Sequence, residues 1–492
     1  MEATLESLAR GRAMEPRAAA ALRRLVGRDI SLEGLSQLFQ PSFPGVQLFV
    51  IEERVAPDQA VEVGLVGVSR SGRPVWTGSR AFVRGRDGSL EIHRGFDVVH
   101  PDFQSRNITT DVLRNELEML RIFDAGPSAR ITLDAEGVGR FVFALHGFGF
   151  ADASEEGPPL RSHRAFEPDG DRERLTEAAR VHAERCAKDL GAGRLAIEAL
   201  VERVEVCRTP WSFAALDLAE MPQAPDGALG VGGFGRSFLL HPDTPSWRGA
   251  LLLRDAAASE GHRYRDAKTR SSEKRLRAEL EEIAERLKGQ VRAERIRALR
   301  RLSLIGPPEW IPVVKELMQS PDRRVAAVAR QTHRTMALSE LPHHMLTHGM
   351  NEEADPAERG QVLRILAEHH PRLMDAHVPM LRIHPDARVQ RSIVPLVAAE
   401  PDPGPSLAAM LAANPLNEEE PRPGLAELRI ELIEHLTSLR DPSTLPVIME
   451  AYRRNHPSEQ LALSRALVSF PDPRAQLVLA ELRVSSSSPP IP

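Results

Sequence analysis

Two cysteines, Cys186 and Cys207, are all that the 492 residues contain. They exclude a disulfide framework and a four-thiolate metal site. Tyrosine is equally scarce: Tyr264 and Tyr452 are the only two, and aromatics make up 4% of the chain. No uninterrupted apolar run reaches the roughly 18–20 residues of a membrane helix, so no membrane span is expected. The start, MEATLESLAR, lacks the apolar core of a signal peptide. Charge of one sign is also missing, with 64 Lys and Arg against 69 Asp and Glu and a net charge of −5. Without a basic excess, neither nucleic acid nor an anionic membrane is an expected partner. What is present is ordinary for a soluble globular chain, 42% apolar and 27% charged. The expectation is a cytoplasmic protein in a reducing compartment, of roughly two to four domains.

Texture divides the chain into four stretches: 1–155, 156–270, 271–485 and a tail at 486–492. In the first, residues 1–40 read as helix. Runs rich in Val, Ile and Phe then predict strands at Val46–Ile51, Ala60–Val68, Val75–Val83 and Ser89–His100, separated by turn residues. A helix is expected from Thr110 to Phe123, because Val112, Leu113, Leu117, Leu120 and Ile122 fall largely on one face. A strand at Ala129–Leu133 and a short helix at Gly139–Gly147 follow. This order predicts a mixed α/β sheet. The stretch 156–270 is a mixed extension or a connecting domain. It reads as two helices around Gly191-Ala192-Gly193 and two strands, Ser237–His241 and Ala250–Arg254.

The third stretch reads almost entirely as helix. A narrow stripe, Leu276, Leu280, Ile283 and Leu287, marks a charged, solvated helix. Pro321-Asp322-Arg323-Arg324-Val325 then recurs as Pro385-Asp386-Ala387-Arg388-Val389 and, more loosely, as Pro471-Asp472-Pro473-Arg474-Ala475. Each copy is expected at a helix start, with Pro in the first turn and Asp facing the positive helix end. One helix pair cannot bury its own apolar face, so the pairs must stack. The array, about 290–485, resembles HEAT-type repeats and implies an all-α superhelical part that binds a protein partner or substrate. An irregular helical domain is the alternative.

The segment Glu91–Ala151 carries the chemistry. A strand ends in His100-Pro101-Asp102-Phe103. The loop Gln104-Ser105-Arg106-Asn107-Ile108-Thr109 follows, then the helix from Thr110, and later a strand, a helix and Gly147-Phe148. This order resembles the GNAT superfamily of acyl-CoA-dependent N-acyltransferases over residues 45–155. The resemblance implies a GNAT-like α/β sheet. It also implies that acetyl-CoA or another acyl-CoA rests its pyrophosphate on the loop Gln104 to Thr109 and its pantetheine along the splayed edge of the fourth strand. A backbone N–H near Val98–Val99 would hold the oxyanion. Free N–H groups and a partial positive charge at a helix start suit a diphosphate. Asn107 and Thr109 stand where the family carries small residues. Phe143 stands where it often carries a tyrosine that protonates the departing thiolate.

For general acid and base, the residues offer His146 beside Gly147, and Glu91 or Asp97 acting through water. Strand alternation puts Glu91, His93 and Asp97 on one face, which is otherwise a solvated sheet face. The run Gly230 to Gly235 precedes an expected strand, so no helix start follows it to hold a phosphate. His343, His344 and His348 fall in an expected inter-repeat loop, and no metal is expected. Two functions stay open. One is N-acyl transfer to an amine, with helical repeats recruiting a protein substrate. The other is a catalytically degenerate GNAT-like fold acting with its array as a non-enzymatic binding scaffold.

Overall fold

The computed structural model describes residues 14, 16–55, 60–85, 87–101, 103, 107–126, 128–136, 139–151, 168–190, 194–218, 221, 231–257, 260–338, 340–416, 422–454 and 456–486. It divides into two compact units, residues 1–67 with 75–336 and residues 68–74 with 337–492. Among the described residues no helix is long and apolar enough to cross a membrane.

The first unit is built on a seven-stranded mixed sheet, preceded by helices α1 (Pro16–Val26) and α2 (Leu32–Phe39). Strands β1 (Val46–Val55), β2 (Val61–Ser69), β3 (Pro74–Arg84) and β4 (Leu90–Val99) match the four apolar runs of the sequence. Helix α3 (Ile108–Ile122) leads to β5 (Arg130–Ala135), helix α4 (Gly139–Leu145) and a two-residue strand β6 (Gly149–Phe150). Helices α5 (Pro168–Leu190), α6 (Arg194–Glu205), α7 (Pro210–Ala214) and α8 (Gly233–Leu240) intervene before β7 (Trp247–Leu252). The strand order is β1-β2-β3-β4-β5-β7-β6, so residues 156–270 supply a strand to the interior of the same sheet. The long helix α9 (Glu260–Lys288) and the helices up to Met336 complete this unit. Phe39, Phe82, Ile92, Val112, Leu120 and Phe148 are among the residues of its core.

One expected strand, Ser237–His241, is instead part of helix α8. Its Phe234, Phe238 and Leu239 recur at helical spacing and are buried, and that packing overrides the short-range strand preference. A helix start therefore does follow the glycine run, but it is already filled. Gly233 N–H donates to Asp217 Oδ1 (2.9 Å) and Gly235 N–H to the Leu216 carbonyl (2.8 Å). A Cβ on Gly232 would lie 1.8 Å from the Leu216 carbonyl oxygen, so glycine is required there for backbone approach rather than for a ligand. Gly191 to Gly193 and Gly230 lie outside the described residues.

The second unit is helical, from Leu341–Gly349 to Pro473–Ser486. His343, His344 and His348 sit on the first of these helices, not in a loop. Two helical stretches of this unit are each broken in two, Pro371–Met374 from Val378–Arg382 at Asp375–His377 and Ala387–Ser392 from Val394–Ala398 at Ile393. In both, the second piece carries a proline in its first turn, which removes an N–H from a continuous ladder.

The recurring Pro-Asp pairs do mark helix starts, with a different division of labour. The Asp carboxylate caps the helix: Asp322 accepts from Arg324 N–H, Asp386 from Arg388 N–H, and Asp472 from Arg474 N–H. Asp355 and Asp441 cap two further helices in the same way. Pro321 and Pro385 precede the cap and lie outside the helix.

Charged pairs bury themselves between the helices of this unit. Glu431 is bound by Arg364 and, at 2.7 Å, by Arg391. Burial alone would raise the pKa of its carboxyl, but Arg364 and Arg391 hold it down to about 2. Arg429 and Glu459 form a second pair at 2.6 Å, both side chains at most 2% exposed.

Candidate functional site

β4 and β5 run parallel, but their pairing covers only Glu91–Arg94 against Arg130–Leu133. Beyond it β4 continues to Val99 along β3 alone, while β5 continues to Ala135 along β7. The carboxyl ends of two neighbouring strands therefore part. Helix α3, which follows β4, starts at that carboxyl edge. Crevices of this kind outside strand carboxyl ends are where open α/β sheets place ligands.

Among the described residues the start of α3 has no side-chain cap. Asn107 occupies the cap position with φ 62° and ψ 18°, a left-handed conformation that asparagine tolerates. Its side chain makes no capping bond, and its buried Nδ2 has no partner among the described residues. The first backbone bond of the helix runs from Asp111 N–H to the Asn107 carbonyl. Ile108 and Thr110 are buried and Thr109 is half-buried. Asp111 turns away to bind the backbone N–H and hydroxyl of Ser42, and its own burial raises its pKa. Gln104, Ser105 and Arg106 lie outside the described residues. Val98 is exposed and Val99 half-buried at the end of β4.

The three expected acid–base groups are not brought together. Register explains why. Ser79 pairs with Phe96 but Arg80 pairs with Arg94, so Gly95 is an extra residue, a β-bulge. A bulge reverses the alternation beyond it. Arg94 and Asp97 thus share the face towards α3, while Glu91, His93, Phe96 and Val98 share the other. The expected common face for Glu91, His93 and Asp97 does not form.

Asp97 is enclosed in a ring of buried charges. Its two oxygens meet Arg80 at 3.0 Å and Arg94 at 2.5 Å. Glu116 of α3 meets the same two arginines at 2.5 Å each. Side-chain exposure is at most 6% at all four residues, and the two charges of each sign cancel. Burial lowers the pKa of Arg80, but Asp97 and Glu116 outweigh it and raise the value overall. Both Asp97 oxygens are thus committed to guanidinium groups.

His146 is a strut between helices. Nδ1 lies 2.6 Å from the Val142 carbonyl, which makes it the protonated nitrogen, so Nε2 accepts the Thr110 hydroxyl at 2.8 Å. Burial above all, reinforced by Arg265, Arg94 and Lys268, depresses its pKa to about 3. It ties α4 to the first turn of α3 and has no proton to offer a leaving group at neutral pH. Glu91 is buried too. It accepts Arg130 Nε at 2.9 Å and the Thr132 hydroxyl at 2.6 Å.

Sequence reasoning missed Arg80, Arg94, Glu116 and Thr132. Arginines inside strands as apolar as β3 and β4 were the available signal, since lone buried cations require carboxylate partners. It also missed Tyr264. This phenol arrives on α9 and packs edge-on against His146, with ring centroids 5.7 Å apart, and Lys268 Nζ sits 5.2 Å above its ring. Among the described residues no group of three or more His, Cys, Asp or Glu is arranged to hold a metal ion.

Two histidines of this region set an acid limit. Burial lowers the pKa of His146 to about 3 and of His93 to about 4, from 6.5. Folded pKa values below the unfolded ones mean that the unfolded chain binds the extra protons. The stabilisation is complete above pH 6.5 and drains as pH falls towards 4, at roughly 1.4 kcal/mol per pH unit for each histidine. All four tryptophans, Trp76, Trp211, Trp247 and Trp310, lie in the first unit, so its unfolding is read by their fluorescence. The denaturation midpoint is expected to fall steadily from pH 6.5 to 4.5, and a flat midpoint would contradict the buried neutral imidazoles.

Compared with family models, curated proteins and solved structures, the chain matches none.

Proposed function

We propose that the divergent carboxyl ends of β4 and β5, with the start of α3, form a cleft for acyl-CoA, and that the chain transfers the acyl group to an amine. The observation that carries this reading is the coincidence of two features: strand ends that part beside a helix start with no side-chain cap among the described residues. The parted ends suit an extended pantetheine arm, and the helix start suits a diphosphate. The HEAT-like helical repeats recruit a protein substrate or partner. A second reading, a binding module without turnover, draws on the commitment of Asp97 and His146 to structural partners.

Calorimetric titration with acetyl-CoA and with CoA tests the cleft, and thiol release in the presence of a primary-amine peptide tests turnover. Binding with thiol release supports the transferase, and binding without it supports the module. No binding at millimolar ligand removes the transferase and leaves a scaffold that binds protein alone.

Asn107→Asp sharpens the test. A carboxylate at the helix start favours the helix dipole, by about 0.5–1 kcal/mol at most, and tolerates the left-handed backbone. The variant is therefore expected to be as stable as the parent, yet to bind CoA roughly tenfold more weakly through repulsion of the diphosphate. Unchanged affinity in a folded variant would move the ligand away from α3.

A further inference from the structure

The face of the sheet opposite α3 carries a chain of hydrogen bonds that the preceding account leaves without a role. Thr132 of β5 stands opposite His93 of β4 in the parallel register. Its hydroxyl lies 2.6 Å from Glu91 Oε1 and 3.1 Å from His93 Nδ1. Glu91, Thr132 and His93 are each less than 9% exposed. The hydroxyl proton goes to the carboxylate, so the hydroxyl oxygen accepts from Nδ1–H and His93 holds its lone pair at Nε2. The Nε2 nitrogen takes no part in the bonds between these three side chains. Past the bulge, exposed Phe96 and Val98 share this face with His93.

We propose that Glu91, Thr132 and His93 form a proton relay whose outer end, His93 Nε2, is the general base for an amine or hydroxyl presented beside Phe96 and Val98. The transfer balances as follows. Nε2 takes the proton of the incoming group, Nδ1–H passes its proton to the Thr132 oxygen, and the original hydroxyl proton moves to Glu91 Oε1. Three bonds to hydrogen break and three form, and one proton is displaced from the ligand to Glu91. His93 begins and ends neutral. The groups that act on it are Glu91, which favours its charged form, and Arg248 and Arg80, which oppose it together with burial. An imidazole that stays neutral is a poor proton store but a good conduit. Arg130 donates to the other Glu91 oxygen at 2.9 Å and leaves Oε1 to the Thr132 hydroxyl. The inference rests on the acyl-transfer reading only for the identity of the acceptor as an amine.

Diethyl pyrocarbonate tests the relay without any acyl-CoA. Nε2 attacks its carbonyl, ethyl carbonate leaves, and the Nδ1 proton follows the same path to Glu91. In the full chain, peptide mapping is expected to show His93 carbethoxylated at a rate that stays level from pH 8 to about 5, well below the titration of an ordinary imidazole. Thr132→Val and Glu91→Gln are expected to slow it roughly 10²-fold, the low end of a general-base contribution, while Thr132→Ser keeps it near the parent rate. An unmodified His93, a rate midpoint near the ordinary 6.5, or a Thr132→Val rate equal to the parent overturns the proposal. Nitrogen NMR of the unaltered chain gives an independent reading: the Nδ1–H tautomer at His93 is required, and the Nε2–H tautomer overturns it. Failure here leaves the acetyl-CoA titration untouched, and failure of that titration leaves the relay standing.

Discussion

Glu116→Gln is expected to destabilise the first unit by about 3–5 kcal/mol, the cost of breaking a buried ion pair from one side. Glu116 is wholly buried and meets Arg80 and Arg94 at 2.5 Å each. The amide preserves shape but removes one of the two negative charges, so two buried guanidinium groups are left with Asp97 alone. The ring also joins β3, β4 and α3 where β4 leaves β5, so its loss reaches the cleft. Trp76 reports the change, because the Arg80 guanidinium lies 5.9 Å from its ring. Denaturant titration by tryptophan fluorescence gives the magnitude. A loss below about 1 kcal/mol, the scale of exposed pairs, would mean that water reaches the ring.

Arg429→Ala is expected to have an effect of similar size in the second unit, again about 3–5 kcal/mol. Arg429 donates to both oxygens of Glu459, and also to the carbonyls of Leu411 (3.0 Å) and Asn414 (2.6 Å). Truncation strands a carboxylate and two carbonyls in the interior. Tyr452, buried in this unit, and the helical circular-dichroism signal follow the loss. The double replacement Arg429→Met with Glu459→Leu separates causes. It is expected to recover much of the loss, because removing both charges leaves neither unpaired. If the double variant is as damaged as the single one, packing of the long Arg429 stem is the larger contribution.

The sheet was legible in the sequence because β1 to β4 are continuous Val, Ile and Phe runs between turn residues. Helix α3 was legible from its single apolar face. Helix α8 was not, since its Phe and Leu residues read equally as strand until the burial of Phe234 and Phe238 is known. Of the site, the strand–helix order was legible because it is local information, but the helix begins at Ile108 rather than Thr110, which takes Ile108 and Thr109 out of the expected loop. The chemistry of Glu91, Asp97 and His146 was not legible. Asp97 changes face through one extra residue in β4. His146 is kept neutral by burial and held by Val142 and Thr110, the latter 36 residues away. Thr132 gives no signal by itself, and only pairing with β4 sets it between Glu91 and His93.

Gly95 makes the two chemistries of β4 separately adjustable. Were the bulge ironed flat with Gly95 retained, strict alternation would swing Asp97 to join His93 and direct Phe96 and Val98 inward, dismantling both assemblies without altering one functional group. Side chains on either row can therefore drift independently only while the strand keeps its bulge. Loss of that bulge would rewrite the domain more thoroughly than most substitutions along the strand.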